Sequence, residues 1–483
     1  MRRCVCLAII FSAWVGRATT YWVATDGNDA NAGTSSNTPF ATPQKAVTLA
    51  ALAAGDTIYV RGGTYALSTQ VKPGRTATAA NPIKLWAYPG EEPVFDFAMM
   101  TGSNKALDVR RDYWHVRGLR IKNAPSNGIF VGNTGVIIEG CVIHDCNNDG
   151  LVLGSTTVRA TNALVLNCDS YRNYEVGSGG NNGDGFAAKD GCWTGNKFVG
   201  CRAWDNADDG WDFYNNQNTI VIEKSWAFRN GFDLWGVGAG WTGNGNGFKL
   251  GGAGTTAKHF LTNCVTFGNR RKGFDHNNSS AGQTLVHCTG YANGTANFSF
   301  YDTPTAGSPL PNLLINNVAY AGVTTNVTLD PTSVQISNSW QIATVTAADF
   351  ASLDVSVATN ARNADFSLAT NNLFRIAPGS DLIDRGRNVG LPFNGSAPDL
   401  GAFEFVPASS PRLTQLSPGG WTNGLVRVAV SGLTAHGSIV LHASTNLVAW
   451  TPIQTNAAAS GTITYTDVAS GNFSRRFYRV EEQ

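Results

Sequence analysis

The sequence predicts an all-β chain folded as a right-handed parallel β-helix, with a capping helix at its N-terminal end and a small β-sandwich-like domain appended at its C-terminus. Short fragments of one pattern recur at irregular intervals of 23 to 39 residues, a solenoid signature in which loops of variable length interrupt a constant core. A second set of turn pairs ending in Gly falls between them, so each repeat holds at least two strands. The composition agrees: of 483 residues 54 are Gly, only three are Met and 14% are charged, which describes a turn-rich and strand-rich chain.

Taken in order, the chain opens with Arg2, Arg3, an apolar run from Cys4 to Val15 and then Gly16-Arg17-Ala18. This predicts a secretory signal peptide over 1–18, too short to span a bilayer, and so a secreted product, extracellular or periplasmic. Residues 19–405 form the solenoid. "TPQKAVTLAALAAG" supplies a Thr42 N-cap, Pro43 at the first helical position and Gly55 as C-cap, an amphipathic helix suited to cover the open end of the solenoid; "DTIYVRGGTY" follows as a strand. "IDRGRNVGLP" and "APDLGAFEF" form a closing segment to Phe405. Residues 406–411 are a Pro/Ser linker, and 412–483 alternate as strands such as "LVRVAVSGL", "SIVLHASTNLVAWTPI" and "GTITYTDV", with no acid, metal or nucleophile cluster.

The repeat is visible when "GLRIKN" (Gly118), "CVIHDC" (Cys141), "CDSYRN" (Cys168), "CRAWDN" (Cys201), "SWAFRN" (Ser225), "CVTFGN" (Cys264), "CTGYAN" (Cys288) and "NVAYAG" (Asn317) are superposed. Equivalent positions in successive rungs lie about 4.8 Å apart, so like residues stack. Cys168, Cys201, Cys264 and Cys288 then form an inward column of small apolar thiols. Without Cys4 and Cys6 the nine cysteines become seven, an odd number that cannot all pair. Asn173, Asn206, Asn230, Asn269 and Asn293 form a second column, capping backbone groups at a left-handed turn.

In the second register, "DGLV", "DGFA", "DGWD", "NGFK" and "KGFD" place Asp149, Asp184, Asp209, Asn246 and Lys272 just before the Gly, and Val152, Ala187, Asp212, Lys249 and Asp275 two residues after it. Asp184 stacks on Asp209, flanked by Asp208 and Asp212. Four carboxylates so close repel, and each tends to protonate unless a cation lies among them. Oxygen-only ligation from several carboxylates suits Ca²⁺ better than Zn²⁺. Asp149 alone is explained by turn chemistry. Lys249, one rung beyond Asp212, is either its salt-bridge partner or, beside a bound cation that disfavours its charged form, a base.

The motifs "NNGDGFAAK", "GCRAWDNADDGWD", "NGFKLGG" and "VTFGNRRKGFDHNN" resemble those of the pectate lyases of polysaccharide lyase family 9, and the resemblance covers roughly 20–405. It implies a parallel β-helix that cleaves pectate by β-elimination, with Ca²⁺ as cofactor on Asp184, Asp208, Asp209 and Asp212 and Lys249 as base. The substrate it implies is an acidic polysaccharide, polygalacturonate or pectin. Arg270, Arg271 and Lys272 on the next rung are candidates to clamp uronate carboxylates; Trp204, Trp211, Trp235 and Trp241 are candidates for sugar stacking, with core packing the equal alternative for Trp211, which follows the turn directly. Two other readings remain open: a β-helix glycoside hydrolase using the same acids with a water between them, and a non-catalytic Ca²⁺-dependent glycan-binding solenoid. Net charge of +1 provides no global field for nucleic acid or an anionic membrane, and a monomer is expected.

Overall fold

A computed structural model describes residues 18–190, 192–252, 255–301 and 311–406, and, further on, 412–415, 421–422, 425–434, 438–457, 459–473 and 475–482. The expected leader, all but Ala18, and most of the expected linker lie outside the described residues. The chain divides into two compact units between Phe405 and Val406.

Among the described residues the first unit winds through three parallel sheets of 12, 10 and nine strands, each strand pairing with its equivalent one rung away. The first sheet runs from Thr20–Val23 to Val334–Ile336, the second from Gly63–Ala66 to Val318–Tyr320 and the third from Leu107–Val109 to Thr325–Leu329. Strands are short because each rung turns three corners. Their inward residues fill one continuous apolar core in which Val60, Leu85, Val116, Ile138, Val165, Phe198 and Ile222 are all fully buried.

The N-terminal helix is shorter than predicted. Thr42 does cap it, accepting from the Lys45 N–H at 3.3 Å, but the helix spans only Pro43–Val47. Thr48 ends it by bonding back to the Gln44 carbonyl at 2.7 Å, and the Gly74 N–H takes the Val47 carbonyl. The following residues proceed as turns to Gly55 at φ +94°, pinned by Asp56, whose carboxylate accepts from the Ala53 and Thr19 N–H groups. "DTIYVRGGTY" is likewise two strands, Thr57–Val60 in the first sheet and Gly63–Ala66 in the second, because the chain turns a corner at Arg61-Gly62.

Both predicted columns are present. Asn173, Asn206, Asn230, Asn269 and Asn293 are buried, and each Nδ2 donates to the next Oδ1 at 2.9 to 3.0 Å, while that oxygen also accepts the preceding residue's main-chain N–H. The left-handed position is the residue before each Asn: Arg172, Asp205, Arg229, Gly268 and Ala292 have φ between 50° and 57°. Asn206→Ala leaves the Asn173 N–H, the Ser170 carbonyl and the Asn230 amide short of partners in a dry corner. A loss of about 3–5 kcal/mol is expected, read as a lowered urea midpoint at unchanged m-value.

The seven described cysteines are free and buried. Each Sγ in the column contacts a main-chain carbonyl one rung back, as Cys201 does Val165 at 3.5 Å, and Ser225 continues the column by accepting the Cys201 N–H.

A further polar corner, unread in the sequence, holds Asn196, His259, Gln283 and Asn312. The His259 Nδ1 accepts from the Ile220 N–H at 3.1 Å, so this ring must be neutral, and burial lowers its pKa to about 3. A base with a depressed folded value contributes stability above its unfolded value near 6.5, and that contribution is lost as pH falls towards 3. His259→Gln is therefore expected to flatten the acid side of the stability profile between those limits, measured by urea unfolding at stepped pH.

The predicted closing segment does not cover the C-terminal end. Residues 347–405 instead run back along the second sheet, burying Phe350, Leu373, Phe374, Leu382 and Leu400 against Trp204, Phe228 and Phe267. Arg202 and Arg362 both bind the buried Asp169 carboxylate at 2.7 Å, tying this strap down. At the far end Trp340, in the short helix Ser339–Ile342, packs on Phe298.

The second unit, by itself, has a four-stranded and a three-stranded antiparallel sheet among its described residues, sharing a core of Val428, Val430, Leu433, Ile439, Leu441 and Tyr465. "SIVLHASTNLVAWTPI" is two paired strands, Ile439–Ser444 and Thr451–Asn456.

Candidate active site

In the third sheet, strand alternation sets the site. Phe186, Trp211, Phe248 and Phe274 point inward and stack at 4.8, 4.6 and 5.1 Å between ring centres. Their neighbours Ala187, Asp212, Lys249 and Asp275 consequently point outward in one column, paired rung to rung in the register read from the sequence. Trp211, fully buried in that stack, is excluded as a sugar platform, and so is Trp204, held between Tyr171 and Phe228.

The turn ahead of these strands builds a second column. Each carboxylate accepts a main-chain N–H from the next rung: Asp149 Oδ1 from Asp184 at 3.2 Å, Asp184 Oδ1 from Asp209 at 2.9 Å and Asp209 Oδ1 from Asn246 at 2.7 Å. One oxygen of each is thus fixed. The other, Oδ2, of Asp184 and of Asp209 is buried and among the described residues meets only an ammonium: Lys189 Nζ at 2.5 Å and Lys249 Nζ at 3.2 Å. Asp212 Oδ2 lies between the two lysines, 3.2 Å from Lys189 and 3.3 Å from Lys249.

Oxygens of Asp184, Asp209 and Asp212 all lie within 4.8 Å of one another. Asp208 stands beside this group, its Oδ1 taken by the Asn244 N–H at 2.5 Å. Buried, oxygen-only donors, two of whose carboxylate oxygens meet nothing but an ammonium among the described residues, fit a hard divalent ion such as Ca²⁺.

The electrostatics reflect crowding. Burial, reinforced by Asp184 and Asp212, lifts Asp209 to about 7 against the pull of Lys249. Burial, then Asp209 and Asp184, also raises Asp208 well above the carboxylate range. Burial opposes ionisation of Asp212 too, but Lys189 and Lys249 outweigh it and hold Asp212 low. For Lys249, burial pulls downward while Asp209, Asp212, Asp184 and Asp208 more than compensate, keeping the ammonium charged.

Two participants were missed in the sequence. Lys189 is buried among Asp149, Asp184 and Asp212, and Asp149, read as turn chemistry alone, lies 3.6 Å from its Nζ and is raised by burial. The available signal was the position four residues after each Gly, which Lys189 occupies in "DGFAAK". On the next rung Lys272 is drawn to Asp275 at 2.9 Å and Arg270 bonds the Gly243 carbonyl, leaving Arg271 exposed. Trp235 and Trp241 remain half-exposed, stacked on Tyr174 at 4.8 and 6.1 Å.

A family model described as the Pel9A-like right-handed β-helix region matches residues 21–317. The chain belongs to this family. The Pel9A-like chain is 37% identical over 396 residues to pectate lyase L of Dickeya dadantii (strain 3937), a match covering 80% of the chain and 90% of that protein. The crystal structure of pectate lyase Pel9A superposes with a TM-score of 0.73 at 36% identity, over 80% of this chain and 97% of that one. A rhamnogalacturonan lyase structure superposes at 0.65 and 25% identity, over 75% and 97%. Membership in the Pel9A-like family makes the chain an enzyme, a polysaccharide lyase.

Proposed function

We propose that the chain is an exported, Ca²⁺-dependent pectate lyase that cleaves α-1,4-linked galacturonan by β-elimination, with Lys249 as the base. The observation that carries this reading is the placement of the Lys249 Nζ within 3.3 Å of both Asp209 and Asp212, two of the three clustered carboxylates, on the outward face of a rigid sheet. Export is supported by the Arg2-Arg3 and apolar leader pattern.

Asp184, Asp209 and Asp212, with Asp208 beside them, would hold the ion. When bound, Ca²⁺ would supply positive charge to a substrate carboxylate and so acidify the adjacent C5–H. Lys249 takes that proton, the electron pair forms the C4–C5 double bond, and the glycosidic oxygen leaves from C4. Lys249 is suited to this because the carboxylates alone hold its proton; once their charge is compensated, burial remains, and burial favours the neutral amine. Lys189, 3.2 Å from Asp212, helps to keep that carboxylate ionised. Inverting hydrolysis, by contrast, places its two acids about 6.5–9.5 Å apart to admit water, wider than the 4.8 Å cluster here.

The test is ultraviolet absorbance of the unsaturated uronide during incubation with polygalacturonate, with Ca²⁺ and then with chelator. A rise that requires Ca²⁺ supports the reading; reducing ends without absorbance point to hydrolysis, and binding without either product to a glycan-binding solenoid.

A further inference from the structure

Four successive rungs at the corner following the third sheet enclose a shallow hollow of about 620 Å³, lined by Arg110, Arg111, Asn133, Thr157, Arg159 and Trp193 among others. Its length along the solenoid, three rung steps of about 4.8 Å, is about 14 Å. Trp193 follows Lys189 by four residues, so the hollow begins on the rung that carries Asp184 and Lys189 and extends towards the N-terminal end.

The hollow is basic and partly preorganised. The Arg159 guanidinium lies over the Trp193 ring at 4.1 Å, and Trp193 is 41% exposed. Arg111 is anchored through bonds from its Nε to the Gly74 carbonyl and from Nη1 to the Arg110 carbonyl. Among the described residues neither Arg111 nor Arg159 has an ion-pair partner, whereas Asp108 is covered twice, by Arg110 at 2.7 Å and Lys72 at 3.6 Å. Arg110 and Lys105 also lie over the Phe130 ring, at 4.8 and 5.8 Å. A chain of net charge +1 thus gathers unpaired arginines one corner away from a strongly acidic centre.

We infer that this hollow is a polyanion subsite that takes the uronate units of the substrate lying N-terminal, along the solenoid, to the cleaved bond, with Arg111 and Arg159 binding their carboxylates and Trp193 meeting a sugar face. Planar, bidentate recognition of carboxylates is what a fixed guanidinium provides, and a stacked Arg loses little freedom on binding. The subsite rests on the galacturonan reading above and adds to it a direction for the chain and a dependence on its length.

The test compares wild type with Arg111→Ala/Arg159→Ala, both exposed positions, at matched melting temperature. On polygalacturonate KM is expected to rise roughly tenfold with kcat within about twofold. The effect is expected to vanish on the shortest oligogalacturonide that is cleaved, to shrink with added salt, and to be restored in part by Arg159→Lys on the Arg111 background. An unchanged KM on polymer, or an equal rise on the shortest oligomer, would overturn the subsite. If wild type forms no unsaturated product, the galacturonan lyase reading fails on its own; retardation in native gels containing polygalacturonate then decides, since equal mobility of wild type and variant removes the subsite and selective release of the variant retains it.

Discussion

Lys249→Ala is expected to lower kcat on polygalacturonate by about a thousandfold while the protein remains folded, the size of effect that removal of a positioned general base produces. The residue lies outward, so its loss opens no cavity in the aromatic stack of Phe186, Trp211 and Phe248 beneath. It does remove the ammonium that meets Asp209 and one of the two that meet Asp212, so the Ca²⁺-free variant should be less stable than wild type and Ca²⁺ should narrow the difference. Lys249→Arg tests the chemistry separately from the charge: a guanidinium keeps the ion pairs but does not give up its proton, and activity should stay lost. Retained binding of polygalacturonate by Lys249→Ala, with no unsaturated product, would locate the defect in proton abstraction. Full activity in either variant would remove Lys249 from the mechanism.

The second large effect concerns the carboxylates. Ca²⁺ added to chelator-treated wild type should raise the melting temperature, since a ligand that binds only the folded state stabilises it by about 4 kcal/mol at a thousand times its Kd. Asp209→Asn should lose most of this response, with affinity weaker by roughly a hundredfold in calorimetry, because one anionic donor is gone from a buried, charge-selected set. The pH dependence has a definite sign. A carboxyl whose folded pKa, about 7 at Asp209, exceeds its unfolded value contributes stability that is complete below that unfolded value and disappears as pH rises through 7. The Ca²⁺-free protein should therefore lose stability on alkalinisation in this range, and Ca²⁺ affinity should fall on acidification below it, where a proton competes for the same oxygens. Asp209→Asn should weaken both trends, with Asp208 and Asp149, also raised, carrying what remains.

Much of this was legible because a solenoid turns sequence register into spatial adjacency. The alignment of Ala187, Asp212, Lys249 and Asp275 follows from counting residues after each Gly, and the pairing obeys that count. What escaped was information that pattern carries faintly or not at all. Lys189 lies past the end of the two-residue strand Phe186–Ala187, and only its place four residues after the Gly, in the parity of Ala187, points it to the site. The helix was overestimated because a run of Ala and Leu scores as helix while Thr48 and Asp56 hold the same residues in turns. For Trp211 the sequence leaves packing and sugar stacking both open, and its place next to Asp212 in an alternating strand decides for packing. The strap over the second sheet depends on pairings such as Arg362 with Asp169, almost two hundred residues apart, which no local pattern reveals.

The column of thiols also makes the molecule its own set of clocks. Cys141, Cys168, Cys201, Cys264 and Cys288 each report on a different rung, and none can react with an alkylating reagent until its own rung parts from its neighbours. In a stack where each rung pairs with those above and below it, opening can begin at an end and travel inward. Labelling rates read cysteine by cysteine would give the direction and speed of that travel, and would show whether added Ca²⁺ arrests it at the middle rungs that carry Asp184, Asp209 and Asp212.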